Sequence, residues 1–424
     1  MEDRIVSVRA QQIIDCKCRP AVEVEIRTES GAVGLGAAPT GTSVGMHESF
    51  VLRDGDPSTY QGLSVHKAVE HAVNIIGPAL VGTNVFDQRA IDEKMIALDG
   101  TPDKRRLGGN TIYSVSIAAF RAAADSLSIP LYKHIAGRDI FTVPVPCFNV
   151  INGGRYEGLT QAFNEFLIVP YLTNSIDTSI EMAVDVFQKL ADVLAAYLGH
   201  KPQVASSYGY AAPSDDPEVI LALMQKTVDE CGYTSQIAFA LDCASSEMYD
   251  KESGTYLLKG KRVSSDELID YAKFLTEKFN MVFIEDLLDE NDWPGYIKAV
   301  KRLTRTIVLG DDLTVTNREL LRKAYETHAV DGFILKPNQV GTITEAMDAY
   351  RFATAHGMIA VPSGRSGGVV DDVVMDFSVG LEVPFQKNGA PRSGERIEKL
   401  NFLMRANARS PGCRLYDIAP LLRF

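Results

Sequence analysis

The sequence lacks closely paired cysteines and an excess of positive charge. Six cysteines are scattered over 424 residues, and only Cys16 and Cys18 are close together. Their C-K-C spacing fits neither a CxxC redox pair nor half of an ordinary zinc site, so we expect reduced thiols in a cytoplasmic protein. The formal net charge of −12 argues against bulk binding of nucleic acid or of an anionic membrane surface. It is compatible with a small anionic substrate held by a few local cations.

Long apolar runs and nucleotide-binding loops are also missing. No stretch of about 18 apolar residues occurs, so we expect no membrane span. The opening residues MEDRIVSVRA lack the apolar segment of a signal peptide, which we therefore do not expect. No GxGxxG or GxxxxGK[ST] follows an apolar run, and this counts against a doubly wound nucleotide-binding sheet.

Two regions of the chain differ in pattern. Residues 1–140 mix strand and helix signals, with AVEVEIRTESGAVGLGAAP alternating like strands around a turn, and they predict a compact α+β domain. Residues 141–424 alternate short apolar runs with amphipathic helices. One of these helices begins at a capping box formed by Ser264 and Glu267, and another begins at Pro217. The alternation over this length predicts an α/β fold with a parallel (β/α)8 barrel.

Charged residues end several of the apolar runs in the second region, namely Asp242, Glu285, Asp311 and Lys336. Any one of them alone is equally compatible with a helix N-cap or a solvated loop charge. In a parallel barrel, however, these strand ends share the face where active sites lie. Three carboxylates without histidine or cysteine predict a hard divalent cation, for which Mg²⁺ is the natural choice. A lysine that faces this metal would have cationic neighbours, which lower its pKa, and it could remove a proton next to a carboxylate.

Two further segments place cations at strand ends. PSGRSGG combines glycines with Arg365 and Ser366, a set that can hold a phosphate through backbone N–H groups and a guanidinium. PFQKNGAP places Lys387 after another apolar run. For each segment the alternative interpretation is a plain loop with a surface cation.

Together these motifs resemble the enolase (phosphopyruvate hydratase) family over nearly the whole chain. The resemblance rests on VPVPCFNVINGG at the domain junction and on LDCASSE, FIEDLLDENDW, GDDLTVTN, LKPNQVGT and KNGAPRSGERIEKLN in the barrel. It implies an N-terminal α+β cap domain and a C-terminal barrel whose first elements depart from regular β/α alternation. It also implies a homodimer or a higher homo-oligomer that acts on a small phosphorylated carboxylic acid.

The resemblance implies roles for the residues at the strand ends. Asp242, Glu285 and Asp311 would bind the catalytic Mg²⁺. Lys336 would be the base that takes the proton α to the substrate carboxylate, and Lys387 would face that carboxylate and help to stabilise the enediolate.

The resemblance further implies a phosphate site with a second ion. Arg365 and Ser366 would hold the phosphate, and a second Mg²⁺ would join it to the loop APTGTSVG. Thr40 in that loop stands where the family usually has serine, and it keeps both a hydroxyl and a backbone carbonyl.

Several positions depart from the family around the leaving hydroxyl. Tyr208, in SSYGYAAP, stands at the position of the family's acid glutamate, and Tyr156 and Gly364 stand at the positions of two histidines. Asn164 replaces glutamine in front of the retained Glu165. Hydroxide leaves poorly without a general acid, and losing one typically costs about 10^2 to 10^4 in rate. We therefore predict an altered leaving-group site, with Glu165 or Tyr208 as the acid.

Three functions are compatible with this pattern. The first is a lyase that takes the α-proton of 2-phosphoglycerate or a close analogue and forms a phosphoenolpyruvate-type product by β-elimination. The second is a paralogue resembling carboxyphosphonoenolpyruvate synthase of phosphonate biosynthesis, which uses the same enediolate chemistry with a bulkier group in place of water. The third is a non-catalytic protein on the same scaffold, which the retained metal carboxylates and Lys336 disfavour.

Overall fold

The computed structural model describes residues 1–41, 45–156 and 158–424. The first part of the chain contains an antiparallel sheet whose strand order follows the chain: β1 (Ile5–Ile14), β2 (Pro20–Thr28) and β3 (Val33–Ala37). The α-helices that follow it are α1 (His66–His71), α2 (Gly77–Leu80), α3 (Gln88–Asp99), α4 (Gly109–Ser126) and α5 (Leu131–Ala136).

Helix α4 packs unusually close to this sheet because the residues between them are small. A Cβ atom on Gly34 or Gly36 of β3 would collide with the backbone of the helix at Ala118 or Ser114. The facing alanines of α4 are buried, so the helix and strand approach backbone to backbone. A side chain at either glycine would push the helix away from the sheet.

The second part is built on a nine-stranded sheet with the order β15-β14-β13-β12-β8-β6-β5-β16, in which β7 pairs with β5. The strands of the second part are β4 (Thr142–Val143), β5 (Val145–Tyr156), β6 (Leu159–Pro170), β7 (Tyr210–Ala211), β8 (Ile237–Asp242), β9 (Tyr249–Asp250), β10 (Thr255–Leu258), β11 (Lys261–Val263), β12 (Met281–Glu285), β13 (Ile307–Gly310), β14 (Gly332–Leu335), β15 (Ile359–Pro362), β16 (Phe385–Lys387) and β17 (Arg414–Leu415).

This sheet closes on itself as a barrel. A parallel bridge between Ser363 and Lys387 joins the two ends of the strand order. Strand β6 is antiparallel to both β5 and β8, whereas the pairs from β8 to β15 and the pair of β5 with β16 are parallel. The predicted enolase-type barrel with irregular first elements is therefore confirmed.

Helices surround the barrel, and their ends agree with the capping signals in the sequence. They are α6 (Ile176–Leu198), α7 (Pro217–Glu230), α8 (Ser265–Lys278), α9 (Trp293–Arg302), α10 (Arg318–Thr327), α11 (Pro337–Val340), α12 (Ile343–Ala355), α13 (Val374–Gly380) and α14 (Gly394–Ala408). The capping box of Ser264 and Glu267 forms at the start of α8, and Pro217 opens α7. Within the described ranges, no helix is both long and apolar enough to cross a membrane.

Candidate active site

A ring of polar side chains lies at one end of the barrel, directly above its core. Side chains alternate along a strand, so a residue two positions from an inward-facing core residue also faces inward. The buried core layer inside the barrel consists of Cys147, Leu167, Ala240, Phe283, Leu309, Ile334, Val361 and Phe385. The positions two residues further toward the open end are Asn149, Glu165, Asp242, Glu285, Asp311, Lys336, Ser363 and Lys387.

This ring contains the predicted strand-end charges Asp242, Glu285, Asp311, Lys336 and Lys387. A cleft of about 850 Å³, part of which is open to solvent, is lined by six members of the ring, namely Glu165, Asp242, Asp311, Lys336, Ser363 and Lys387. Asn149 on β5 and Ser363 just beyond β15 lie at the same level of the barrel as the charged residues of the ring. The alternation of side chains that places Asp242 on the inner face would have placed these two residues there as well. Glu247, which also lines the cleft, follows LDCASS outside a strand and had no such signal.

Lys387 lies among carboxylates at the floor of the cleft. Its Nζ is 3.0 Å from Asp242 Oδ2 and 3.5 Å from Glu165 Oε2, and it also contacts Glu285 Oε2. Burial opposes the charge of this ammonium, but Asp242 and Glu285 outweigh burial and raise the pKa of Lys387 well above its ordinary value. Lys387 is therefore the cation that these carboxylates hold in this structure.

Lys336 pairs with Asp311, whose Oδ1 accepts a second hydrogen bond from Gln339 Nε2 at 2.9 Å. The lowered pKa predicted for Lys336 presupposes a bound cation, and in this structure Asp311 is paired with Lys336 instead. Burial and Arg365 do lower the pKa of Lys336, but the adjacent Asp311 carboxylate outweighs them, so the pKa is raised.

The carboxylates Asp242, Glu285 and Asp311 have the donor chemistry for a hard divalent cation, although among the described residues the acidic oxygens that lie within 4.8 Å of one another are those of Asp286, Asp311 and Asp312. Glu285 is fully buried, and its Oε1 has no hydrogen-bond partner among the described residues. Burial and the neighbouring Asp242 raise the pKa of Glu285, as expected for carboxylates that need a further cation. An all-oxygen donor set of this kind suits Mg²⁺.

A second acidic group lies beside the first. Oxygens of Asp286, Asp311 and Asp312 come within 4.8 Å of one another. However, the two Asp286 oxygens accept the backbone N–H groups of Asp311 and Asp312 at 2.8 and 2.9 Å, so Asp286 braces the turn that carries Asp311. Burial, together with Asp311, raises the pKa of Asp286 to about 7, while burial and Asp286 raise the pKa of Asp312 to about 9.

The segment predicted to hold a phosphate lines the same cleft through Gly364, Arg365 and Ser366. The Arg365 guanidinium forms a two-pronged ion pair with Glu48, with N–O distances of 2.7 and 3.0 Å, and both side chains are buried. A Cβ atom on Gly364 would collide with the Lys399 ammonium. The space beside this glycine is thus filled by a cation from α14.

Asn164 and Glu165, which were predicted to belong to the leaving-group side, both line the cleft. Glu165 Oε1 accepts a hydrogen bond from Asn149 Nδ2 at 2.9 Å, and Asn164 Nδ2 lies 3.4 Å from Asp242 Oδ2. The retained glutamate is therefore fixed by a neighbour on β5 and faces the ring.

The side chains of Tyr208 and Tyr156, both among the described residues, do not line the cleft. The Tyr208 hydroxyl donates to the Cys16 carbonyl at 2.6 Å, and the Tyr156 hydroxyl lies 3.0 and 2.9 Å from the carbonyls of Asn152 and Gly153. Burial raises the pKa of each phenol. Neither tyrosine is among the side chains that line the cleft, so the geometry does not support the roles predicted for them.

Thr40 lies where the first part of the chain meets the phosphate segment. Its backbone N–H and carbonyl pair with the carbonyl and N–H of Gly367, each at 3.0 Å, and the side chain is buried. The loop APTGTSVG continues through residues 42–44, which lie outside the described residues. The loop's predicted contact with a second ion can therefore be assessed only at Thr40 and Gly41.

Comparisons with known proteins agree over both parts of the chain. The family model described as the enolase N-terminal domain matches residues 5–135, and the one described as the enolase C-terminal TIM barrel domain matches residues 140–412. A protein named enolase from Methanopyrus kandleri is 41% identical over 406 residues, which cover 95% of each chain. A protein of the same name from Methanococcus maripaludis is 40% identical over 402 residues, covering 95% of this chain and 94% of the relative.

Proposed function

Because this chain belongs to the enolase family and is an enolase-like lyase, we propose that it removes the α-proton of 2-phosphoglycerate or a close analogue with the help of Mg²⁺. The product is of the phosphoenolpyruvate type and forms by β-elimination. The observation that supports this proposal is the ring in which Asp242, Glu285 and Asp311 surround the ammonium groups of Lys336 and Lys387. A cytoplasmic location and a homo-oligomeric state stay predictions from the sequence.

Asp242, Glu285 and Asp311 would hold the ion. When bound, Mg²⁺ supplies positive charge that stabilises an enediolate next to the substrate carboxylate. Lys387, which is buried at the floor of the cleft, orients that carboxylate and adds a second positive charge there.

Lys336 acts as the base, and it must be neutral to do so. Asp311 raises the pKa of Lys336 while the two side chains are paired. An Asp311 carboxylate that is committed to a divalent cation no longer stabilises the ammonium to the same extent, so the amine becomes available near neutral pH. The neutral amine takes the proton from the α-carbon, and the electron pair moves into the carboxylate.

Glu165, rather than Tyr208, donates the proton to the leaving group in this proposal. Glu165 lines the cleft and is held by Asn149, whereas the Tyr208 hydroxyl is directed at the Cys16 carbonyl. Loss of the protonated β-hydroxyl as water then completes the elimination.

A second candidate function is the one that resembles carboxyphosphonoenolpyruvate synthase. The observation that favours it is that two cations line this cleft: Lys399 lies against Gly364 and Arg396 against Gly389, and both pair with the buried Glu395. Positive charge in this place suits a second, anionic reactant such as an activated phosphonoformate better than it suits departing water.

One experiment separates these functions. The purified protein is incubated with Mg²⁺ and 2-phosphoglycerate while absorbance of the enol product and exchange of the α-proton with deuterated solvent are followed. Dehydration supports the first function, whereas exchange without dehydration supports the second. The matched variants are Lys336→Gln and Lys301→Gln, the latter at an exposed lysine on α9. Absence of both signals, also with a nucleotide-activated phosphonoformate present, would refute both functions.

A further inference from the structure

A guanidinium occupies the place where the second ion was expected. Arg19 NH2 lies 3.2 Å from the Thr40 carbonyl oxygen and 3.1 Å from the Thr40 hydroxyl, and Arg19 NH1 lies 3.4 Å from the Gly41 carbonyl oxygen. The hydroxyl and carbonyl of Thr40 are the two groups that the sequence pattern offered to a second Mg²⁺. In this structure both accept hydrogen bonds from Arg19.

Arg19 is fixed in this place by its own buried counter-ion. Its Nε and NH2 lie 3.1 and 3.0 Å from Asp15 Oδ2, and the side chain of Asp15 is fully buried. The other carboxylate oxygen of Asp15 accepts the backbone N–H groups of Lys17 and Arg19 at 2.8 and 2.9 Å. The turn that follows β1 is therefore organised around this ion pair.

The phosphate segment also makes room for the guanidinium. A Cβ atom on Gly367 would collide with Arg19 NH2, so the absence of a side chain there lets the cation lie against the backbone next to Ser366. The Cys16 Sγ contacts the Ser366 carbonyl at 3.4 Å, and the Cys16 N–H donates to the Gly368 carbonyl at 2.9 Å. These contacts dock the turn that carries Arg19 onto the segment predicted to bind phosphate.

The residues present do not fit a second divalent cation at Thr40. An arginine stays charged at any physiological pH, so its positive charge cannot be removed to admit another cation. Both Thr40 oxygens accept hydrogen bonds from Arg19, and the Thr40 hydroxyl donates to Asp15 Oδ2 at 3.4 Å, so a divalent ion would have to displace the guanidinium from its own counter-ion to reach them.

We propose that Arg19 replaces the second, substrate-bridging ion and that each active site works with a single divalent cation. The guanidinium, which is held by Asp15 and lies against Gly367, takes the place of the ion next to the segment predicted to bind the substrate phosphate. This inference rests on the proposed function, because it presupposes a phosphorylated substrate and an ion at Asp242, Glu285 and Asp311.

The number of bound ions tests the inference without measuring catalysis. The full chain is titrated with Mn²⁺ in the presence and absence of saturating 2-phosphoglycerate, and free Mn²⁺ is followed by electron paramagnetic resonance. We expect one ion per chain under both conditions. Two ions per chain with 2-phosphoglycerate would overturn the inference while leaving the proposed function intact. No bound ion would overturn the proposed function, and the inference with it.

Variants of Arg19 test whether its guanidinium prevents a second ion from binding. Removing the guanidinium alone would leave the buried Asp15 carboxylate without its counter-ion. The test therefore uses the double variant Asp15→Asn, Arg19→Asn, and its folding is checked by circular dichroism. We expect this variant to bind a second Mn²⁺ when 2-phosphoglycerate is present. Arg27→Gln, at an exposed arginine on β2, is the control and should still bind one. A folded double variant that binds one ion would show that Arg19 does not exclude the second.

Discussion

Replacing Tyr208 by phenylalanine removes a single oxygen atom and decides whether this tyrosine is a general acid. In the structure that hydroxyl donates to the Cys16 carbonyl at 2.6 Å, and the ring lies 5.0 Å from the Arg396 guanidinium and 5.7 Å from Lys17 Nζ. Phenylalanine keeps both cation–ring contacts and loses only the hydrogen bond. We therefore expect the free energy of unfolding to fall by about 1 kcal/mol, the usual net value of one such bond.

The expected effect on elimination is much smaller than that of losing an acid. If Glu165 donates the proton, Tyr208→Phe should change the elimination rate by no more than about twofold, or under about 0.5 kcal/mol of activation free energy. If Tyr208 donates it, the rate should fall by about 10^2 to 10^4 while exchange of the α-proton continues.

The assay follows product absorbance and α-proton exchange in parallel, on whichever elimination the wild-type protein performs. Glu165→Gln is the positive comparison and should lose elimination while keeping exchange. The matched control is Tyr233→Phe. It removes a hydroxyl that donates to Asp185 at a distance of 2.8 Å, and this contact does not belong to the cleft. A fall of 10^2 or more in Tyr208→Phe alone would show that the hydroxyl leaves the Cys16 carbonyl during the reaction and would refute our assignment.

Three other results are expected. Lys336→Gln should slow α-proton exchange, measured by NMR in deuterated solvent, by at least about 10^2 without changing the far-ultraviolet circular dichroism. Removal of divalent cations with EDTA should abolish exchange, and Mg²⁺ at 100 times its dissociation constant should stabilise the protein by about 2.7 kcal/mol in thermal unfolding. Burial raises the pKa of Asp376 to about 7, against opposition from Arg121, so the folded state holds a proton that the unfolded state has lost. This one group should therefore contribute up to about 4 kcal/mol of stability that is lost as pH rises from about 4 to 7, so the loss of stability over this range should be smaller for Asp376→Asn than for the wild-type protein in denaturant titrations; equal pH dependence would contradict the assignment.

The strand-end charges could be predicted because two simple periodicities determine them. Apolar runs locate the strands, and alternation of side chains places Asp242, Glu285 and Lys336 on the inner face at the barrel opening. The same rule covers Asn149 and Ser363, which were missed because uncharged residues do not stand out in a sequence.

Contacts between distant parts of the chain could not be predicted in the same way. Glu48 pairs with Arg365, which is 317 residues further along the chain, and no local pattern links the two. The direction of the Tyr208 side chain depends on the backbone of Tyr208 itself, whose φ is +70°. Sequence patterns do not specify this conformation for a tyrosine. The pKa of Lys336 depends on what its partner Asp311 binds: the prediction of a lowered pKa assumed that Asp311 holds a metal ion, whereas in this structure Asp311 pairs with Lys336 and raises its pKa.

The contacts of the turn between β1 and β2 also bear on how the protein unfolds. This turn and the nearby Glu48 join the first part of the chain to the barrel through Arg365, Gly367 and Gly368. Separating the two parts would break the buried ion pair of Glu48 and Arg365 together with the backbone hydrogen bonds between Thr40 and Gly367. Neither part can therefore loosen much on its own, and the whole chain should unfold as one cooperative unit. The contacts that hold the two parts together are also the ones that position the segment predicted to bind phosphate.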